Sequence, residues 1–476
     1  MISKSVLSII CLAHILLAEL SLCDKLRFVF GMFRHGARAP WKSLNENNID
    51  IFGSKWEGES QLTDVGVRQH YLLGYKNKQK YFSQLNITDY NTNEFSIFST
   101  ETDRTVMSAY SELFGMFPPG SGPKLTEEQI PFAQPPMKTF NFSQKQEFLK
   151  DEVLQAAVAL FPVHLFDKYA SYFNLYDPKL CPRVKDYQDA NKKSEKFLNY
   201  SNAIIKNYGD RIIKLINKTD INELKDYNSM YYVFDTFIAN YFDGRNLDKL
   251  NETGINFEEF YNLTIDFLKW DQFYINYGDK DSIVARMSFS PVFRYLFDVI
   301  DARIGLDSSE GLISPDYYDS LNPKMFLYSG HDTSLAAMNV FLSYMFGEDR
   351  VKQYYTYFAS SFYFELYKNE TKSNSEMKHE YGEEYYLNIL FNEKNIFGKS
   401  ISYKEFKDQI KNKLMNAQDV HDFCSVKGAE VNNKLLLIIL LPILISVCLV
   451  LGYLIYKRTS KTLEDNSEKQ TNYSKV

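Results

Sequence analysis

Cysteine and histidine are scarce in this chain, at five and seven among 476 residues. None of them forms a CxxC pair or a closely spaced His/Cys cluster, which excludes zinc-ribbon and zinc-finger modules. There is no basic excess either: 54 Lys and Arg stand against 60 Asp and Glu, a formal net charge of −6. A net acidic chain argues against nucleic acid as a general partner, while leaving room for a local basic pocket that holds an anion. No internal repeat and no low-complexity linker is present, so solenoid architectures are excluded.

What is present begins at the two ends. Residues 1–23 read as a secretory signal peptide, with Lys4, an apolar stretch from Val6 to Ala18, and small residues at Ser21 and Cys23 before Asp24. Leu435 to Tyr456 is an uncharged run (LLLIILLPILISVCLVLGYLIY). As a helix it would extend about 33 Å, against a hydrocarbon core of roughly 30 Å. Lys457, Arg458 and Lys461 follow it directly, which by the positive-inside rule places residues 457–476 in the cytosol. The expectation is a single-pass type I membrane protein with residues 24 to about 433 outside the cytosol.

Two further features fit an oxidising, glycosylating compartment. Sequons lie at Asn86, Asn141, Asn199, Asn217, Asn251, Asn262 and Asn369. Cys181 and Cys424 are the only cysteines between the signal and the apolar run, and they are expected to pair as a disulfide.

Strand-loop-helix units recur along the outer portion. Phe28 to Phe33 is an apolar run suited to a buried parallel strand, and Thr63 to Tyr81 reads helical with Thr63 or Asp64 as N-cap. Glu94 to Ser99 is a short strand before a helix capped by Asp103 and running from Arg104 to Phe114. Lys324 to Ser329 is another strand, before a helix from Thr333 to Met345. Tyr357–Tyr367 and Tyr385–Phe391 are further strands, and Ser402-x-x-Glu405 opens a last helix. The pattern implies an α/β fold with a mostly parallel sheet flanked by helices. Residues 24–180 and 291–425 would form the α/β domain, with 181–290 a helical cap insertion.

Three strand ends carry the chemistry. Arg34-His35-Gly36-Ala37-Arg38-Ala39-Pro40 follows the first strand, in the position where open α/β sheets bind ligands. Two guanidinium groups flanking an imidazole suit a tetrahedral anion, and Gly36 would let the backbone approach it. Arg104 and the pair His331-Asp332 sit at two more strand ends. Singly each has a plain reading, an N-cap for Asp332 for instance. Together they describe an anion site with a nucleophile and a proton donor.

The same residues carry a family resemblance. RHGARAP (34–40) matches the RHGxRxP signature of the histidine acid phosphatases, and SGHDTS (329–334) matches their distal HD motif. STETDRTVMSA resembles the segment that supplies the family's third phosphate-binding arginine. Gln61 to Gly74 is similar to its LTxxGxxQhxxLG helix, and Leu180-Cys181-Pro182-Arg183 to a CPR segment of the lysosomal and prostatic branch. The resemblance implies a phosphoglycerate-mutase-like fold and a phosphomonoester substrate, with no cofactor and no metal. It implies His35 as covalent nucleophile and Asp332 as proton donor, with Arg34, Arg38, Arg104 and His331 binding the phosphate. In the empty site, arginine charge would hold the His35 pKa down, and a bound phosphate dianion would raise that of Asp332. An inositol-polyphosphate phosphatase is the second enzyme reading, and a non-catalytic receptor on the same scaffold the third. A homodimer is compatible with the resemblance. Tyr473-Ser474-Lys475-Val476 fits a tyrosine-based signal for a sorting adaptor, which favours a lysosome-like or digestive compartment over the cell surface.

Overall fold

The computed structural model describes residues 24–41, 44–135, 141–165, 181–216, 224, 227–278, 283–304, 323–369, 384–425, 451 and 453. The expected signal peptide, the cytosolic tail, Asn217 and all but Leu451 and Tyr453 of the run 435–456 lie outside them. Among the described residues no helix is long and apolar enough to cross a membrane. The chain divides into two compact units, Met1–Ala417 and Gln418–Val476, and the first holds the sheet and Arg34, His35, Arg38, Arg104, His331 and Asp332.

Among the described residues, eight strands form one sheet: β1 (Lys25–Arg34), β2 (Phe95–Ser99), β3 (His164–Leu165), β4 (Met325–Gly330), β5 (Ser361–Lys368), β6 (Tyr385–Phe391), β7 (Lys394–Asn395) and β8 (Ile401–Ser402). The order is β3-β2-β4-β1-β5-β6-β7, with β8 on β6. Both faces of β1 are covered, which is why its Phe28–Phe33 stretch is an unbroken apolar run. On one face Val29, Phe33, Ile97 and Leu327 join Leu113 and Met116 of a flanking helix in one core cluster. On the other, Phe30 meets Phe326 and Phe364 at centroid distances of 5.4 and 5.6 Å. Phe293 extends that layer, stacking on Phe341 at 4.8 Å. Truncating such a ring to alanine costs about 3–5 kcal/mol.

The sheet is not mostly parallel. β1/β4, β2/β4 and β2/β3 are parallel, whereas β1/β5, β5/β6, β6/β7 and β6/β8 are antiparallel. A strand covered on both faces reads as an apolar run whichever way it points, so the sequence pattern carried no direction for β5 and β6. The strand expected from Tyr357 also begins later, at Ser361, because residues 357–360 make a turn.

The flanking helices include α1 (Asp64–Tyr81), capped by Thr63 whose side chain accepts from Gly66 N, and α2 (Asp103–Met116). Thr102, not Asp103, occupies the N-cap of α2. α1 and α2 touch through backbone: a Cβ on Gly74 would lie 1.9 Å from Glu112 O, and one on Gly115 2.0 Å from Tyr71 O. Only glycine permits that approach. After α3 (Ser143–Leu149) come α4 (Pro182–Lys192), α5 (Glu195–Ile212), α6 (Tyr227–Phe242) and α7 (Phe257–Lys269), then a π-helical turn, Trp270–Ile275. No strand occurs between residues 181 and 278 among those described. Phe197, Phe234, Phe237, Phe260 and Phe267 give this run its own aromatic core.

α8 (Ile283–Ile304) crosses the boundary expected at residue 290 and contains Pro291 within it. α9 (Asp332–Phe346) and α10 (Tyr403–Lys411) follow, the latter capped by Ser402 accepting from Glu405 N. α10 is not the final helix, since Ala417–Cys424 is also helical. Cys181 and Cys424 are both disulfide-bonded. Asn86, Asn141, Asn199, Asn251 and Asn262 are exposed, and Asn369 is half-buried.

Candidate active site

Register brings three strand ends level. Arg34 pairs with Gly330 and Ser99 with Ser329, so the loops after β1, β2 and β4 open side by side. The loop from Arg34 to Pro40 is tied down at nearly every residue. His35 N donates to Gly330 O at 2.9 Å, Gly36 N to Ser108 Oγ at 3.2 Å, and Ala37 N to Gln69 Oε1 at 2.8 Å. Gly36 has a packing duty in the loop. A Cβ there would lie 2.4 Å from Gly66 O, so the loop rests directly on the first turn of α1. Beneath it His70 Nε2 bonds Arg34 O at 3.0 Å and His70 Nδ1 faces Glu112 Oε2 at 3.3 Å. Both side chains are fully buried.

The tautomer of His35 follows from its neighbours. Its Nδ1 lies 2.9 Å from Gly36 O, and a carbonyl oxygen only accepts, so Nδ1 carries the hydrogen. Nε2 is then the free lone pair. Burial, then the charges of Arg104 and Arg34, hold the imidazole pKa well below its ordinary value, so the ring stays neutral in acid.

The three arginines are held differently. Arg34 Nη1 donates to Thr356 O at 2.6 Å, Nη2 pairs with Asp332 Oδ2 at 2.9 Å, and its plane lies 4.2 Å over the Phe358 ring. Arg38 makes a two-point ion pair with Asp235 of α6, at 2.7 and 3.1 Å. Among the described residues Arg104 has no hydrogen-bonded carboxylate. Burial and the Arg38 charge bring its pKa down to about 10, and its Nη2 contacts His331 Nδ1 at 3.3 Å. Arg34 Nε and Arg104 Nε are buried donors with no acceptor among the described residues. Two orphaned cationic donors beside a free imidazole nitrogen fit an anionic oxygen ligand.

His331, not Asp332, is the N-cap of α9, and its backbone N–H donates to Ser334 Oγ at 3.2 Å. Because Arg104 can only donate, His331 Nδ1 accepts and Nε2–H donates to Thr100 Oγ1 at 2.9 Å. Burial and Arg104 lower its pKa to about 3. Asp332 sits in the first turn of α9, its Oδ1 accepting from Thr333 N at 2.8 Å. Burial would raise its carboxyl, but Arg34, then Arg38 and His331, outweigh it and hold the pKa below the ordinary range.

Geometry therefore gathers Arg34, His35, Arg38, Arg104, His331 and Asp332 in one site, with the two imidazoles 5.6 Å apart. Other residues of the site carried no sequence signal. Gln272 of the π-helical turn holds Thr356, whose carbonyl accepts from Arg34, through Thr356 N at 3.1 Å and Oγ1 at 2.9 Å. Asp271 of the same turn accepts from Tyr227 OH, and burial raises its pKa to about 7, with the Asp332 charge adding to the shift. Trp41 and Tyr231 meet edge to face at 5.8 Å beside Asp235. Among the described residues no His, Cys, Asp and Glu cluster is arranged to hold a metal ion.

Residues 25–392 match the family described as histidine phosphatase superfamily (branch 2). Lysosomal acid phosphatase of Xenopus laevis is 26% identical over 350 residues, covering 73% of this chain and 67% of that protein. Prostatic acid phosphatase of Mus musculus is 30% identical over 203 residues, 35% of this chain and 52% of that one. Among solved structures, the phytase of Citrobacter braakii superposes with a TM-score of 0.53 at 15% identity, covering 85% of this chain and 100% of its own. That likeness speaks to fold alone.

Proposed function

The chain belongs to branch 2 of the histidine phosphatase superfamily, an enzyme family, and we propose that it is an acid phosphatase acting through a phosphohistidine at His35. The observation that carries the reading is the neutral His35 ring, its Nε2 free, beside two buried arginine donors that lack an acceptor.

The steps follow from the charges. A phosphate monoester dianion enters among Arg34, Arg38 and Arg104, and its oxygens take the orphaned Nε–H groups. Arg34 turns charge from Asp332 to the phosphate. Asp332, now beside a dianion and short of its counter-ion, rises in pKa and takes up a proton. His35 Nε2 attacks phosphorus in line, the ester oxygen leaves with its bonding pair, and Asp332 protonates it. Asp332, again a carboxylate, then accepts a proton from water as that water attacks the phosphohistidine, which releases inorganic phosphate and restores the imidazole. His331 holds Arg104 and caps the helix that carries Asp332.

Residues 181–278 act as a cap over the leaving-group side. Residues 1–23 as a leader and 435–456 as a type I anchor rest on the sequence, as do sequon use and adaptor recognition at Tyr473–Val476. With the lysosomal relatives they favour a lysosome-like compartment. The test is hydrolysis of p-nitrophenyl phosphate in mildly acidic buffer, without added metal, by the full chain and its His35→Ala variant. Parent activity that falls at least about a thousandfold in the variant supports the reading. Equal activity in both would overturn it.

A further inference from the structure

Arg38 differs from the other two arginines in that its carboxylate partner comes from outside the motif loops. Asp235, on α6, is 2% exposed and Arg38 4%. Nη2 donates to Oδ1 at 2.7 Å and Nη1 to Oδ2 at 3.1 Å, and Nη1 also donates to Ala39 O at 2.9 Å. The same Oδ2 accepts Trp41 N at 2.8 Å, so one carboxylate holds both the guanidinium and the far end of its loop. One turn before Asp235, Tyr231 packs on Trp41. The guanidinium plane is thus fixed before any ligand arrives. Planar two-point pairing fixes orientation in a way a single contact does not.

We propose that Asp235 is a positioning residue, aiming Arg38 at the phosphate and coupling the placement of helix α6 to the phosphate site. It touches no reacting atom and acts only through Arg38. Its charge also leaves Arg38 strongly cationic despite burial. Asp332 gives up Arg34 when the phosphate arrives, whereas Asp235 keeps Arg38 throughout the cycle. Of the three cations, one is lent to the proton donor, one has no carboxylate partner among the described residues, and one is permanently braced by the helical run.

This inference rests on the phosphatase reading, and a double-mutant cycle in the full chain separates the two. The variants are Asp235→Asn, Arg38→Lys and the pair, compared by kcat/KM for p-nitrophenyl phosphate and by calorimetric affinity for inorganic phosphate. Asp235→Asn should lose about 10- to 100-fold in kcat/KM. In the Arg38→Lys background the same change should cost less than about threefold, because the planar two-point fork it orients is already gone. Losses that multiply independently, or Asp235→Asn with parental kcat/KM, would overturn the proposal and leave Asp235 as a brace of the fold. Should Asp235→Asn fail to fold, Asp235→Glu, displaced by one methylene, carries the same cycle. A parent that binds phosphate without turnover would sink the phosphatase reading and leave the cycle readable in phosphate affinity.

Discussion

The parallel half of the sheet and the helical run from 181 to 278 both serve the site, in opposite ways. β1, β2 and β4 end level and deliver His35, Arg34, Arg38, Arg104, His331 and Asp332 from loops a few residues long. The helical run delivers no motif residue. It supplies the groups that hold the motif residues still, with Asp235 on Arg38 and Gln272 behind the Thr356 carbonyl that takes Arg34. The first region should govern whether chemistry happens, and the second how well aimed it is and over what pH range. Substitutions sharpen or break that division.

The largest effect is expected in the first region. Asp332→Asn keeps the shape and removes the proton, so kcat should fall about 10²- to 10⁴-fold for an alkyl phosphate. The loss should be much smaller for p-nitrophenyl phosphate, whose leaving group needs little protonation. Equal losses for the two esters, measured side by side, would take the donor role from Asp332.

In the second region Asp271 offers a milder test. Its carboxyl, raised to about 7 by burial beside Asp332, is neutral in acid and becomes a carboxylate as pH passes neutrality. That charge faces an incoming dianion, so the parent should lose kcat/KM through this range. Asp271→Asn should hold its activity about three- to tenfold better above neutrality and match the parent in acid. Superimposable pH profiles would remove Asp271 from the substrate's path.

The smallest effect concerns stability rather than rate. His35 and His331 have folded-state pKa values lowered from the ordinary 6.5, the latter to about 3. The unfolded chain therefore binds protons below pH 6.5 while the folded chain does not. Their contribution is fully present above 6.5 and declines as pH falls, by about 1.4 kcal/mol per group per pH unit once the unfolded histidine is mostly protonated. The ligand-free parent should melt lower in mild acid than near neutrality, and His331→Asn should flatten part of that slope. A melting curve with no slope difference between the two would contradict the buried neutral imidazole.

How much of this was legible in the sequence follows the same division. Strand ends were readable because short apolar runs stop abruptly at Arg34, Ser99 and Gly330, and chemistry-bearing residues follow at once. Thr63 and Ser402 were readable because caps obey local hydrogen-bond rules. Strand direction was not, since Ser361–Lys368 is buried on both faces just as β1 is. Asp235 was illegible for a different reason. It lies mid-helix among Tyr, Phe and Val, and only tertiary packing reveals that it meets a guanidinium 197 positions away. The packing duty of Gly36 is illegible for the same reason, because its neighbour, Gly66, belongs to another element.

The central claim is the covalent intermediate. Full-length protein should be mixed with a phosphomonoester, quenched in alkali after a few milliseconds to preserve phosphohistidine, digested and mapped by mass spectrometry. The account predicts one phosphate on the peptide containing His35, absent from His35→Ala and discharged as turnover completes. Sustained turnover with no phosphate on His35 at any quench time would contradict it.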